Sequence, residues 1–248
     1  MKDADLIYGR HPVGEALRSG SRPIQKLLVA EGASLGDLLE IAKQRNIPVQ
    51  KVGRGKLDSM CGGAQHQGIV AMVPAFAYSD IDDVIEAVME RGEAPLILAC
   101  DQIQDPHNLG SLARSALALG AHAVVFPKDR AVEVTGTVVK TSAGATAHLP
   151  MCRVTNLRTT LDQLKERGLW VYGASSDEGS PIADTDFTRP CVIVVGSEGD
   201  GMRRLTIQTC DALVHIPMSG KLGSLNAAVA GGIVLYEASR QRRIQGKS

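Results

Sequence analysis

From about residue 93 onward, short runs of unbroken apolar residues alternate with stretches of helical periodicity, and this alternation limits the fold more than any other feature of the chain. Leu96–Asp101, Ala123–Pro127, Leu169–Ala174, Cys191–Val195 and Ala212–Pro217 read as strands. Between them come Asn108–Leu119, a helix stopped by Gly120, and Thr155–Arg167, an amphipathic helix ending at Gly168. Met202–Thr209 reads as a short helix and Ser224–Arg243 as a long final one. Strands that are apolar on both faces belong inside a parallel sheet covered by helices, so the fold class expected is α/β. In such sheets ligands bind at the loops beyond the strand carboxyl ends.

Residues 1–75 read as a separate small α/β unit. Ile24–Ala30, Pro48–Val52 and Ile69–Val73 are its strands. Leu35, Leu38, Leu39 and Ala42 mark the apolar face of a helix that Ser34 can cap. Residues 76–92 carry five acids against one Arg and have a linker's composition, yet Ile81, Val84, Ile85, Val88 and Met89 recur at helical spacing. The expectation is a linker containing one acidic amphipathic helix, followed by the larger domain at 93–248.

Lys plus Arg and Asp plus Glu are 27 each, so the net charge is zero. By segment it is 10 − 7 = +3 over residues 1–75, 1 − 5 = −4 over 76–92 and 16 − 15 = +1 over 93–248. This excludes a strongly basic, non-specific polyanion binder and leaves room for local patches. The 44% apolar content excludes a disordered or collagen-like chain. No segment has the length of a membrane span, and Met1-Lys2-Asp3-Ala4-Asp5 does not begin a signal peptide, so a cytoplasmic location is expected. The five cysteines are scattered without metal-binding spacing, and Cys100, Cys152 and Cys191 sit in or beside apolar runs. Buried reduced thiols and no metal are expected. His11, His66, His122, His148 and His215 lie apart, and each is read as structural or surface.

Three loops carry the chemical signals. Asp105-Pro106-His107-Asn108-Leu109-Gly110 opens a helix that Asn108 can cap. On that helix Arg114 shares a side with Gly110 and Leu117. A guanidinium on so small and apolar a face needs an anionic or carbonyl partner, and a structural ion pair is one way to supply it. The second loop, Val195-Gly196-Ser197-Glu198-Gly199-Asp200-Gly201-Met202, allows close approach of main chain to a ligand. Its order is not the GxGxxG of a dinucleotide fold, and Glu198 suits a nucleoside better than a phosphate. The third runs from Ile216-Pro217-Met218 through Lys221 and Leu222 to Ser224-Leu225-Asn226-Ala227-Ala228. Ser224 is its candidate cap, and the small residues after it allow very close packing.

Taken together, Asn108-x-Gly110-x-x-x-Arg114, Val194-Val195-Gly196-Ser197-Glu198-Gly199-x-Gly201-Met202 and Ile216-Pro217-Met218…Ser224-Leu225-Asn226-x-Ala228-Val229-Ala230 resemble the motifs of the SpoU/TrmH branch of the SPOUT RNA 2′-O-ribose methyltransferases. Tyr8-Gly9-Arg10-His11-Pro12-Val13 and His66-Gln67-Gly68-Ile69 look like that family's N-terminal substrate-binding domain, which is L30e-like. Pro127-Lys128-Asp129-Arg130, Arg153-Val154-Thr155-Asn156-Leu157 and Glu237-x-x-Arg240-Gln241-Arg242 resemble the bacterial subgroup that methylates a guanosine ribose in large-subunit rRNA. The resemblance implies a parallel-sheet catalytic domain ending in a deep trefoil knot. It also implies S-adenosylmethionine as cofactor, a homodimer and an rRNA partner. Gly196, Ser197, Gly199, Ile216, Met218, Ser224, Leu225 and Ala227 are the implied cofactor-binding residues. Arg114, Asn108, Glu198, Ser224 and Asn226 are the implied catalytic set. Gly223 and Ala228 depart from positions often more polar in close relatives.

Arginine stays protonated in proteins, so Arg114 acts as a cation toward developing oxygen charge or a neighbouring phosphate. Histidine is a residue type better suited than arginine to act as a base, which makes His107 a candidate, though the motif does not fix histidine there. RNA would be gripped by local basic groups: Arg10, Arg18, Arg22, Lys26, Arg54 and Lys56 in the first domain, and Arg203-Arg204, Arg240, Arg242 and Arg243 in the second. Three other readings compete. A tRNA ribose methyltransferase of this family often has short helical extensions in place of the N-terminal 75 residues, a non-catalytic RNA-binding or ribosome-assembly factor would have lost a motif residue, and an oxidoreductase would show an early GxGxxG.

Overall fold

The computed structural model describes residues 4–20, 23–220 and 223–246. Arg22, Lys221 and Leu222, named above, lie outside the described residues. The chain divides into two compact units, Met1–Ala77 and Tyr78–Ser248.

The first unit contains β1 (Ala4–Tyr8), α1 (Arg10–Ser19), β2 (Lys26–Ala30), α2 (Gly36–Gln44), β3 (Val49–Val52), α3 (Arg54–Met60) and β4 (Ile69–Pro74). Its sheet has the order β1-β4-β2-β3, antiparallel except for the β2–β3 pair. Alternation along β2 sends Leu27 and Val29 to a core with Val13, Leu17 and Leu38, while Leu28 and Ala30 face Leu57 on the other side. Ser34 does not cap α2: Leu35 holds that position without a side-chain bond. His66 is buried, with Nε2 2.8 Å from Asp58 and Nδ1 accepting from Gly68 N–H. It fastens the turn into β4.

The second unit runs α4 (Ile81–Glu90), β5 (Leu96–Cys100), α5 (Pro106–Ala118), β6 (Ala123–Pro127), α6 (Gly136–Thr141), β7 (Met151–Val154), α7 (Leu157–Glu166), β8 (Trp170–Ser175), β9 (Ser180–Pro181), β10 (Cys191–Val195), α8 (Arg204–Thr209), β11 (Ala212–His215) and α9 (Ala227–Gln245). Its seven-stranded sheet has the order β7-β6-β5-β10-β8-β11-β9, and every pair is parallel. Strand β10 sits between β5 and β8, with Ile193 opposite both Leu98 and Tyr172. It is buried along its whole length, hence its unbroken apolar sequence.

The amphipathic helix expected within residues 76–92 is present as α4, and it is built into the second unit, which begins at Tyr78. Ile81 and Ile85 of α4 pack in one core with Ile97, Val125, Leu161 and Val171. The acids of this helix are its solvent face, and Asp80 caps it by accepting from Asp82 N–H. On the opposite face α5 lies against α6 and α9. A Cβ on Gly110 would meet Thr141 at 2.7 Å, and one on Gly231 would meet Leu112 at 2.5 Å. Among the described residues no helix is long and apolar enough to cross a membrane.

Candidate active site

Because β10 is inserted between β5 and β8, the loops leaving the carboxyl ends of β8, β10 and β11 converge on one cavity of about 320 Å³. All eight residues expected to hold a cofactor line it: Gly196, Ser197 and Gly199, then Ile216 and Met218, then Ser224, Leu225 and Ala227. The loop after β8 also contributes, through Ser175, Ser176, Asp177 and Glu178. Sequence reasoning missed this fourth loop, because only the strand order reveals that β8 lies beside β10.

The glycines of the second loop have separate reasons. Ser197 and Gly201 exchange main-chain bonds of 3.0 and 3.1 Å, closing a tight loop with Glu198, Gly199 and Asp200 at its tip. Gly196 lies at the neck, where a Cβ would come 2.1 Å from the carbonyl carbon of Gly201. Gly199 has space around it but a φ of +95°, which L side chains rarely adopt.

Asn226 is where the three motifs meet. Its Oδ1 accepts from Ala228 and Val229 N–H, so Asn226, and not Ser224, caps α9. Its Nδ2 donates to Asn108 Oδ1 and to Glu198 Oε2, both at 3.0 Å. Released from capping, Ser224 lies in the cavity wall, and residues 223–226 precede the helix. Asn108 is likewise not the cap of α5. Asp105 accepts from His107 N–H, and Pro106 starts the helix two residues earlier than expected.

Arg114 stands apart from this junction. It is exposed, against the expectation of a buried apolar face, and makes no hydrogen bond or ion pair with a described residue. The structural ion pair considered for it is absent among the described residues. His107 is exposed at the start of α5, with Nδ1 3.4 Å from Thr141 Oγ1. Several basic groups expected to meet RNA are committed elsewhere. Arg203 pairs with buried Asp101, Arg240 pairs with Glu237, and Arg242 donates to main-chain carbonyls. Arg10, Arg18, Arg54, Lys56 and Arg204 are exposed. Among the described residues no group of three or more His, Cys, Asp or Glu is arranged to hold a metal.

The cysteines are free, and burial pushes the Cys100, Cys152 and Cys210 thiols up to about 12 and Cys191 to about 11. They are not nucleophiles at neutral pH.

Comparison with known proteins agrees with this geometry. The family model described as SpoU rRNA Methylase matches residues 95–236, and the model described as RNA 2′-O ribose methyltransferase substrate binding matches residues 6–79. A TrmH family tRNA/rRNA methyltransferase of Bacillus subtilis (strain 168), YacO, is 46% identical over 246 residues, 98% of each chain. The crystal structure of the SpoU methyltransferase AviRb from Streptomyces viridochromogenes, in complex with the cofactor AdoMet, superposes with a TM-score of 0.65 at 29% identity, over 98% of this chain and 92% of that one. A TrmH/SpoU tRNA modifying enzyme of A. aeolicus superposes with a TM-score of 0.56 at 27% identity, over 66% of this chain and 85% of its own. With both family models matched in order and a full-length relative at this identity, the chain belongs to the SpoU/TrmH family of RNA methyltransferases.

Proposed function

We propose that this chain transfers a methyl group from S-adenosylmethionine to a ribose 2′-hydroxyl of RNA, that its acceptor is a guanosine of large-subunit (23S) rRNA as in the RlmB subgroup, and that it works as a cytoplasmic homodimer. The observation that carries the reading is the Asn226 side chain, which joins Asn108 and Glu198 at the mouth of the glycine-necked cavity.

The cavity fits the donor. Its inner wall is apolar, with Met202, Ile207, Val214 and Val234, while Asp177, Glu178, Glu198 and Asp200 contribute carboxylates. That suits a ligand with an adenosine and two positive charges, on sulfonium and ammonium. The residues that would hold it are Gly196, Ser197, Gly199, Ile216, Met218 and Leu225, with Ser224 and Ala227 beside them. Once bound, S-adenosylmethionine supplies a methyl group already activated by the sulfonium.

The remaining work falls to the acceptor side. The 2′-hydroxyl becomes nucleophilic as it loses its proton, and negative charge grows on its oxygen. Arg114, charged and without an intramolecular partner among the described residues, is available to stabilise that oxygen or to grip an adjacent phosphate in two-pronged fashion. Asn226, Asn108 and Glu198 hold the start of α5, and so the helix carrying Arg114, against the second loop. His107, exposed at that same helix start, is the candidate for receiving the proton.

The first unit would bind RNA through its exposed Arg10, Arg18, Arg54 and Lys56. The trefoil knot of the SPOUT fold comes with this reading, and the insertion of β10 between β5 and β8 is in keeping with it. The dimer is supported by α9, where Val229 and Tyr236 remain half exposed beside Gly232 and Ile233. The rRNA reading over the tRNA one is supported by the first unit, whose residues 6–79 match the substrate-binding model, whereas the superposition with the A. aeolicus tRNA enzyme covers 66% of this chain. Incubation with labelled donor and unmodified transcripts of large-subunit rRNA and of tRNA, followed by mapping, tests the whole reading. A 2′-O-methylguanosine in the rRNA is expected. Methyl on a base overturns the reaction, and label confined to tRNA overturns the acceptor.

A further inference from the structure

Asp101, the residue just after β5, is fully buried, and no motif of the sequence points to it. Its main-chain N–H donates to the Val195 carbonyl at 2.8 Å, tying the end of β5 to the end of β10. Its Oδ2 accepts from the main-chain N–H of Arg203 at 2.8 Å. Its Oδ1 accepts from both Nε and Nη2 of the same arginine at 2.7 Å. One carboxylate thus takes three bonds from a residue 102 positions away.

Arg203 is where the second loop rejoins the fold. The tip, Ser197 to Gly201, is closed on itself by its own main-chain bonds between Gly196 and Met202. Among the described residues two side-chain ties join it to the rest of the unit. Glu198 to Asn226 holds the tip, and Arg203 to Asp101 holds the base. Helix α8, which begins at Arg204, cannot replace the base tie, since it has 6 residues and no side-chain cap. Buried ion pairs contribute little net stability compared with apolar packing, so a carboxylate here is better explained by orientation than by cohesion. The same aspartate also begins the segment leading into α5, which carries Asn108 and Arg114.

We propose that Asp101 is a positioning residue for the methyl-donor loop: through Arg203 it fixes the base of residues 196–203 to the end of β5, and so sets the affinity for the donor. The proposal rests on the reading of this cavity as the donor site. The Asp101–Arg203 pair touches neither donor nor acceptor, and its effect should fall on donor binding and leave acceptor binding alone.

The test is calorimetric titration of the full chain with S-adenosylhomocysteine as probe, alongside steady-state kinetics with methyl donor and RNA, for wild type, Asp101→Asn, Arg203→Gln and Arg203→Lys. Loss of a charged, two-pronged hydrogen bond predicts that Asp101→Asn raises the dissociation constant and the donor KM by about tenfold or more. The KM for RNA should be unchanged, and kcat should stay within about threefold. Arg203→Lys, which keeps the charge, should recover part of the affinity that Arg203→Gln loses. If Asp101→Asn does not fold, the Gln and Lys variants of Arg203 decide. A folded Asp101→Asn that melts earlier yet binds the probe like wild type overturns the proposal, as does equal binding by the two Arg203 variants. Wild type that fails to bind the probe instead overturns the donor-site reading beneath it.

Discussion

The two ends of the seven-stranded sheet use charge in opposite ways. At the amino ends of the strands, side chains are consumed by main chain. The Arg242 guanidinium donates to the carbonyls of Phe187 at 2.9 Å, Pro95 at 3.1 Å and Arg189 at 2.8 Å, and also to Ala94. His122 Nδ1 accepts from Leu96 N–H at 3.0 Å, and Asp211 accepts from Val171 N–H at 2.8 Å. At the carboxyl ends four carboxylates line a cavity, and on the helix that leaves the end of β5 Arg114 is exposed without such a partner among the described residues. Arg242 and Arg114 are chemically identical, and their roles are set by which acceptors lie within reach. Carbonyls crowd where strands begin beneath a covering helix, while the loops leaving the other end spread apart. Cohesion belongs to one end and ligand chemistry to the other.

The sharpest way to break this contrast is to remove the arginine at the open end. Arg114→Ala is expected to lower kcat by about 10²–10³-fold, the usual loss when one group stabilising a developing oxyanion is deleted. S-adenosylhomocysteine should bind nearly as in wild type, because Arg114 does not line the donor cavity. Calorimetry showing lost probe affinity in that variant would join the two functions that the geometry separates. Next in size is the cavity's neck. Gly196→Ala forces a Cβ to within 2.1 Å of main chain that cannot retreat, so probe binding should become unmeasurable. Gly199→Ala meets no atom within 4 Å and suffers only the strain of a left-handed residue, about 1–2 kcal/mol. Its affinity should fall far less. Equal losses at the two glycines would show that loop flexibility, and not close approach, governs the site.

Parts of both ends were legible in the sequence. Strands β6 and β10 lie where their apolar runs place them, because burial on both faces leaves no polar residue to blur the limits. The eight residues that the resemblance names for the cofactor line one cavity, and the glycines among them stand at a tight loop whose need for close approach is visible in the sequence. Helix starts were less legible. Ser34, Asn108 and Ser224 are all good capping residues, yet the caps beside them are Leu35, Asp105 and Asn226. A cap depends on which N–H groups are left unpaired, and Pro106 alone moves one start by two residues. Elements with weak apolar patterns, such as β1, α3 and α6, were not foreseen. Pairings across long separations were invisible. Arg203 and Arg242 looked like solvent-facing basic groups, because nothing local shows that Asp101 or the carbonyls before β5 lie beside them.

At the closed end, Arg242→Ala should act on stability and spare catalysis. Several charged-to-carbonyl bonds are lost, some half exposed, so a destabilisation of about 2–3 kcal/mol is expected. For a unit of this size that is a fall in melting temperature of about 4–12 °C, read by calorimetry or circular dichroism. The kcat measured well below the transition should match wild type. A large loss of kcat with unchanged melting would mean that the two ends of the sheet are coupled.

The smallest effect gives the most local reading. Arg242 Nη2 lies 3.5 Å from Cys191 Sγ, a thiol that burial pushes to about 11 even though the guanidinium itself pulls it down. In the native chain at pH 8, a maleimide should modify half-buried Cys61 well before Cys191, since little thiolate exists and access is closed. Arg242→Ala has two opposed consequences at Cys191. Loss of the cation raises the thiol pKa further and slows the reaction, whereas loss of the carbonyl bonds loosens the strand starts and speeds it. Faster labelling of Cys191 in the variant, located by peptide mapping, therefore reports opening of this end of the sheet and nothing else. Slower labelling would show that the strand starts stay closed without the arginine, and that the apolar packing of β10 alone seals them.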